Sequence, residues 1–328
     1  MDAPAERENR ALKKILIALT VLLTLLCGCD RQSDNPEQSP RMRIQFDWLP
    51  EPEFGGFYAA RMGNEFEKRG LKVELHAGAA GTPVIQMVAS GQAELGVSGA
   101  DDLLIALDHG IDLVPVYASF KESPLGLMLH ADRQYAEPSQ LFREGTLAMI
   151  PGSTPLRFLE RKFPFAGVKL VPVGSSLASF LSDPLFAQLC FITSEPVEAE
   201  AAGAKVKVLL FKELGYNPYT GVLFTRRQFF EQHREEIARL VEALKGGWIS
   251  YQSNPEPAIA EMHRLNPTMT IETFRKSTQI QEAYLWGGSR EGAGLMTDVR
   301  WKELATTLKD LGLIREIPTV NLGSAQGQ

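Results

Sequence analysis

The sequence predicts an α/β fold in two lobes, each a mostly parallel sheet flanked by helices. Three observations carry that expectation. Short apolar runs alternate with amphipathic segments from residue 43 to residue 211, the pattern of βαβ units. The 328 residues are enough for about two domains. After residue 225 the texture changes to long helical periodicity, so the C-terminal helices must return to cover a sheet already built.

The elements follow in order. "RIQFDWL" (43–49) reads as a strand, "GFYAARMGNEFEKRG" (56–70) as a helix stopped at Gly70, and "LKVELHAG" (71–78) as a strand. In "TPVIQMVASG" (82–91) Thr82 is placed as N-cap, Pro83 at the first helical position and Gly91 as the stop. "AELGVSG" (93–99) is a strand, "ADDLLIALDHG" (100–110) a helix and "DLVPVYASF" (112–120) a strand. Further strands are expected at 125–131, 146–150, 168–174, 188–194 and 205–211, with helices at 153–163 and 196–203. Residues 225–252 read as one long helix opened by Thr225 and Gln228 in capping-box spacing. Its Ile237, Leu240, Val241, Leu244, Trp248 and Tyr251 recur at helical spacing, a core stripe rather than a cofactor box. The last helix, 298–312, stops at Gly312. Lobe 1 is expected from 41–118 plus 218–318 and lobe 2 from 119–217, with hinge crossings near 118–124 and 212–220.

The N-terminus has its own logic. Lys13 and Lys14 precede "ILIALTVLLTLL" (15–26), too short for a comfortable membrane span and of the right length for a signal-peptide core. It runs into "LCGC" (26–29), which resembles a bacterial lipobox. Residues 1–28 are therefore expected to be a lipoprotein signal peptide and Cys29 the lipidated residue. Cys27 does not fit, because the bulky Leu26 directly precedes it. "DRQSDNPEQSP" (30–40) has the composition of a disordered tether, taken with Cys29 as 29–40. The expected location is outside the cytoplasm, on the periplasmic face of the inner membrane or the cell surface. Cys190, in the apolar "QLCFIT", reads as a core residue.

Composition narrows the partners. A net charge of −6 with no dense Lys/Arg block argues against nucleic acid. The five His are scattered without metal-ligand spacing, and "GVSG" (96–99) lacks the residue between Ser and Gly that a nucleophile elbow requires. No phosphate loop or dinucleotide fingerprint appears. Neither a metal nor a cofactor is expected, and binding is favoured over turnover.

Polar and aromatic residues instead cluster where open α/β sheets bind ligands, at the carboxyl ends of strands. Trp48 follows the first strand inside "DWLPEPEFGG". "SGADD" (98–102) follows the third and opens a helix, offering Ser98 and Asp101. "PGST" (151–154) repeats the arrangement with Ser153 and Thr154, and "TSEP" (193–196) with Glu195. "YNPYT" (216–220) supplies Tyr216, Asn217 and Tyr219 at the second crossing. Taken one at a time, each Ser, Thr or Asp is more readily a helix N-cap than a ligand contact, whereas Trp48 and Glu195 have no obvious packing role. Gly55 and Gly56 are read as letting the backbone approach a ring stacked on Trp48.

"DWLPEPEFGGFYAAR" followed by "TPVIQMVASGQAELGVSGADDLLIALDHGIDLVPVYA" resembles the solute-binding proteins related to thiamine-pyrimidine synthase, cousins of the nitrate-, sulfonate- and taurine-binding proteins of ABC importers. The resemblance runs over about 43–312 and implies a two-lobed, type II periplasmic-binding-protein fold with a ligand cleft between lobes. It implies Trp48 and Tyr58 as aromatic walls for a planar ring, and Glu195 as a polar group offered by lobe 2. The expected protein is a monomeric capture component that closes over a thiamine pyrimidine precursor and delivers it to an ABC permease. Lobe 2 departs from the pyrimidine binders at "CFITSEPVEAE", which leaves a flavin, a sulfonate or nitrate as alternative ligands. Two other classes stay open: a synthase that consumes its own residues, against which the missing Cys cluster speaks, and a sensor lobe without transport.

Overall fold

The computed structural model describes residues 40–174, 176–285 and 292–323. The expected signal peptide, Cys29 and all but the last residue of the tether lie outside the described residues. Ten strands form two five-stranded sheets. The first contains β1 (Arg41–Gln45), β2 (Lys72–His76), β3 (Leu95–Ser98), β4 (Leu113–Phe120) and β10 (Thr220–Arg226), in the order β2-β1-β3-β10-β4. The second contains β5 (Leu125–His130), β6 (Thr146–Met149), β7 (Lys169–Pro172), β8 (Phe186–Phe191) and β9 (Val206–Leu210), in the order β7-β6-β8-β5-β9. The chain thus leaves the first sheet after Phe120 and returns to it at Thr220.

Both sheets are mixed. In the first, β1 pairs parallel with β2 and β3, whereas β10 pairs antiparallel with β3 and β4. In the second, β6 pairs parallel with β7 and β8, and β5 antiparallel with β8 and β9. Four strands of each sheet therefore share a direction and one, β10 or β5, runs against them. β10 is the element the sequence pattern conceals. Its Val222, Leu223 and Phe224 are all buried, a continuous apolar run that period-2 alternation does not mark.

The helices show where local signals yield to tertiary ones. α1 (Gly55–Met62) is shorter than the expected 56–70, and a separate 3₁₀ turn at Glu67–Arg69 leads to Gly70. In α2 (Val84–Ala89) Pro83, not Thr82, holds the N-cap position, and the Thr82 hydroxyl bonds to the Ala79 backbone instead. The long helix does not begin at Thr225. That residue is still in β10, and its hydroxyl donates to the Glu94 carbonyl at 2.6 Å. The helix is divided at His233 into α7 (Arg227–Gln232) and α8 (Arg234–Ser253). The remaining helices are α3 (Ala100–Asp108), α4 (Thr154–Lys162), α5 (Ala178–Ser182), α6 (Glu195–Ala201), α9 (Glu256–Leu265), α10 (Ile271–Gln281) and α11 (Asp298–Asp310).

α8 carries the core stripe as expected: Ile237, Leu240, Val241, Leu244, Trp248 and Tyr251 are all buried. With α1 and the first sheet it closes one apolar cluster. β4 is an edge strand with every residue buried. Its open edge is covered by the C-terminal segment, through Ala118 N–H to the Gly294 carbonyl and Gly323 N–H to the Pro115 carbonyl. Pro115, which has no N–H to donate, sits where the β4–β10 register shifts. Among the described residues no helix is long and apolar enough to cross a membrane.

Candidate functional site

Strand ends from both sheets meet at one cavity of about 510 Å³. After β1 the chain presents Asp47, Trp48 and Glu51, then Glu53 and Phe54 from a 3₁₀ turn. After β3 come Ser98, Asp101 and Asp102, at the start of α3. The second sheet contributes Ile150 to Thr154 after β6, and Phe191 and Glu195 after β8. A cavity of this size, at the carboxyl ends of strands and floored by the two crossings, is the kind of place where α/β sheets hold small molecules.

The two sheets touch across this cavity through hydrogen bonds. Ser194 donates to Glu51 Oε2 at 2.7 Å, and Thr154 donates to Asp102 Oδ1 at 2.9 Å. Phe120 and Phe191, from opposite sheets, meet edge to face at 5.8 Å. Two hydrogen bonds and one ring contact thus bridge the sheets beside the cavity. The crossings are tied to each other by Asn217, which accepts from Ser123 N–H at 2.9 Å and donates to Glu122 at 3.3 Å.

The cavity wall is acidic. Among the described residues, Asp47, Glu51, Glu53, Asp101, Asp102 and Glu195 share the wall with Arg157 and His109 as its other charged or imidazole side chains. Burial dominates their titration. It pushes the Asp47 carboxyl up to about 7 and Glu195 up to about 8, the latter also raised by the nearby Glu51. Glu51 and Glu53 are raised by burial and by acidic neighbours, and Glu51 is held down in part by the bonds from Ser194 and Trp48. Asp101 and Asp102 are raised by burial too; the Tyr216 phenol bonds Asp101, while Ser98 and Thr154 bond Asp102. Glu53 Oε2 is buried and has no hydrogen-bond partner.

The expected site residues divide accordingly. Trp48, Ser98, Asp101, Ser153, Thr154 and Glu195 all line the cavity. Trp48 is half-buried against the core and its indole N–H donates to Glu51 Oε1 at 3.1 Å. Ser153 holds the N-cap position of α4 without a side-chain cap bond, its Oγ unpartnered. Glu195 opens α6, and its Oε2 accepts from Phe191 N–H at 2.8 Å.

Gly56, Tyr58, Asn217 and Tyr219 do not line it. Tyr58 lies in the core against Phe46 with the Arg61 guanidinium over its ring, so it is no wall of the cavity. Gly56 faces α8: a methyl group there would lie 2.2 Å from the Trp248 ring, and one at Gly55 would lie 2.1 Å from Tyr251. The glycine pair lets two helices approach, not a ligand. Tyr219 is buried under the Arg300 guanidinium at 4.1 Å and accepts from Thr297 N–H. Asn217 is a fastener of the crossings.

Sequence reasoning passed over Asp47, Glu51, Glu53 and Asp102, and the rings of Phe54, Phe120 and Phe191. The acids were visible as three carboxyls within "DWLPEPE" beside a tryptophan. A run so acidic in a connection that also buries a large aromatic is the signal that could have found them.

Comparison with known proteins places this architecture. The family model described as "NMT1/THI5 like" matches residues 51–258, a stretch that holds most of the cavity wall. The chain belongs to the NMT1/THI5-like family. A curated relative, the formylaminopyrimidine-binding protein of Halalkalibacterium halodurans, is 26% identical over 285 residues, covering 83% of each chain. Among solved structures, the periplasmic aliphatic sulphonate binding protein SsuA of Escherichia coli aligns with a TM-score of 0.65 at 16% identity, over 85% of this chain and 96% of its own. The alkanesulfonate-binding protein SsuA of Xanthomonas axonopodis pv. citri, bound to MOPS, aligns at 0.62 and 12%, over 86% and 97%. At those identities the two structures show the fold alone, an α/β type II periplasmic-binding-protein architecture. The relative and the two solved structures are binding proteins by name, and the chain shares their architecture.

Proposed function

We propose that the chain is the capture component of an ABC importer for a thiamine pyrimidine precursor, such as a hydroxymethyl- or formylamino-pyrimidine. It acts outside the cytoplasm on a lipid anchor at Cys29. The observation that carries this reading is the cavity of about 510 Å³ whose wall is shared by the two sheets and combines half-buried Trp48 and Phe191 with carboxyl acceptors. A flat ring presents faces to the aromatic side chains and amino groups to the acids. Stacking adds about 0.5–1.5 kcal/mol beyond area burial, so enclosure and satisfied hydrogen bonds must supply most of the affinity.

Capture follows from hinge closure. Bending at the two crossings separates the sheet ends and breaks Glu51–Ser194 and Asp102–Thr154. A ligand that touches both walls stabilises the closed form by its differential affinity, and the closed form is what the permease receives. The family relationship to a formylaminopyrimidine-binding protein supports the ligand class.

The test is calorimetric titration of the purified chain with five compounds. These are 4-amino-5-hydroxymethyl-2-methylpyrimidine, its formylaminomethyl counterpart, riboflavin, taurine and nitrate. Binding of a pyrimidine at micromolar affinity or better is expected. Binding of riboflavin, taurine or nitrate in its place overturns the reading.

A further inference from the structure

Over the whole chain acids barely exceed bases, 40 Asp and Glu against 34 Lys and Arg. The cavity departs sharply from that balance, with six carboxyl side chains and one guanidinium on its wall. Chance placement on a mixed surface does not produce such an excess in one enclosed space, where like charges raise one another's cost.

The hydrogen-bond inventory has the same asymmetry. Four side-chain donors near the acids are already engaged: Trp48 N–H and the Ser194 hydroxyl with Glu51, and the Ser98 and Thr154 hydroxyls with Asp102. Glu53 is buried to 7% exposure, lines the cavity, and leaves Oε2 without any partner. A buried carboxyl oxygen left without a donor is costly, and ligand binding is the event that can supply one. Glu51, Glu53 and Glu195 lie close enough to raise one another, and Asp101 and Asp102 form a second acidic pair. Among the described residues no group of three or more His, Cys, Asp or Glu is placed to hold a metal ion.

We infer that the cavity selects an organic cation, an aminopyrimidine-type ring carrying an ammonium or amidinium group, with Glu53 as the specificity-determining contact and Glu51 and Glu195 beside it. This rests on the heterocycle reading above and adds the charge state of the ligand. Burial and neighbouring acids raise the Glu53 and Glu195 carboxyls, a cost of gathered negative charge that a bound cation offsets. An arriving positive charge forms charge-assisted hydrogen bonds there that a neutral ring cannot. The same wall repels sulfonate and nitrate.

A matched pair of probes tests it. 4-Amino-5-aminomethyl-2-methylpyrimidine and the 5-hydroxymethyl compound differ by an ammonium in place of a hydroxyl. The full chain in detergent is titrated with each by calorimetry at pH 8, and with methanesulfonate. The ammonium compound is expected to bind at least tenfold more tightly, and methanesulfonate not to bind. Glu53→Gln, which keeps the shape and removes the charge, is expected to cut the preference for the ammonium compound severalfold or more. Equal affinities, or a tighter hydroxymethyl compound, overturn the inference while leaving the heterocycle reading standing. Binding of neither pyrimidine overturns both. An undiminished preference in Glu53→Gln removes Glu53 from the contact and refutes the assignment.

Discussion

Replacing Gly56 with alanine drives one methyl group into the α1–α8 interface. The added Cβ would lie 2.2–2.4 Å from three atoms of the Trp248 indole, where ordinary contact is well over 3 Å. Trp248 cannot swing away. It is fully buried, with Phe120 edge-on at 6.3 Å and Tyr251 at 6.0 Å. The helices must separate, and Gly247 has closed off that adjustment by bringing α8 against the Gly56 carbonyl. Overpacking of a well-packed core costs about 1–3 kcal/mol, and the rigid ring puts this site at the upper end. Better helix propensity offsets about 1 kcal/mol, leaving a net loss of about 2 kcal/mol. For a chain of this size that lowers the melting temperature by about 3 °C. Thermal unfolding monitored by circular dichroism, with calorimetric titration of the bound pyrimidine, measures both sides. Reduced stability with affinity retained is the expected result. A variant that melts like the wild type but has lost its ligand would return Gly56 to the cavity and refute the packing argument.

The other predictions concern the cavity and the anchor. Asp47 and Glu195, at about 7 and about 8 in the folded chain, have unfolded values near 4. The folded state holds more protons, so their stabilising contribution is complete below about pH 4 and is lost as pH rises through about 7–8. The ligand-free melting temperature should accordingly fall between pH 5.5 and pH 8.5, and Glu195→Gln should flatten the slope; a rising profile contradicts the burial of these acids. Trp48→Ala removes a half-buried ring and the donor to Glu51, and should weaken pyrimidine binding by about 10- to 100-fold. Unchanged affinity would make Trp48 a packing residue only. Thr154→Val keeps the shape but deletes the hydrogen bond to Asp102. It should enlarge the ligand-free radius of gyration in small-angle scattering, and an unchanged radius argues against a latch. Cys29→Ser should move the protein from the membrane fraction to the soluble or unprocessed one, read by fractionation and intact mass; wild-type protein released free of lipid counts against the anchor.

What the sequence determined by itself is the set of properties that are local along the chain. Alternation of apolar runs with capped helices specified two α/β sheets. The i, i+3, i+4 spacing of Ile237 to Tyr251 specified a buried face, because a helix repeats its environment every turn. The rule that open sheets bind at strand ends was enough to put Trp48, Ser98, Thr154 and Glu195 at the cavity. Only the tertiary structure decided β10, whose apolar run becomes a strand because β3 and β4 stand on either side of it. It also separated Gly56 from the ligand, since which helix a glycine faces depends on a partner almost two hundred residues away. It decided the character of the site as well. Asp47, Glu51, Glu53, Asp101, Asp102 and Glu195 come from three separate stretches of chain, and each read alone is an ordinary surface acid or helix cap. Folding brings them to one wall, with Glu51, Glu53 and Asp101 buried, Asp47 and Glu195 half-buried, and Asp102 still exposed. Burial and mutual repulsion are properties of what surrounds a carboxyl, and no spacing in the sequence records them.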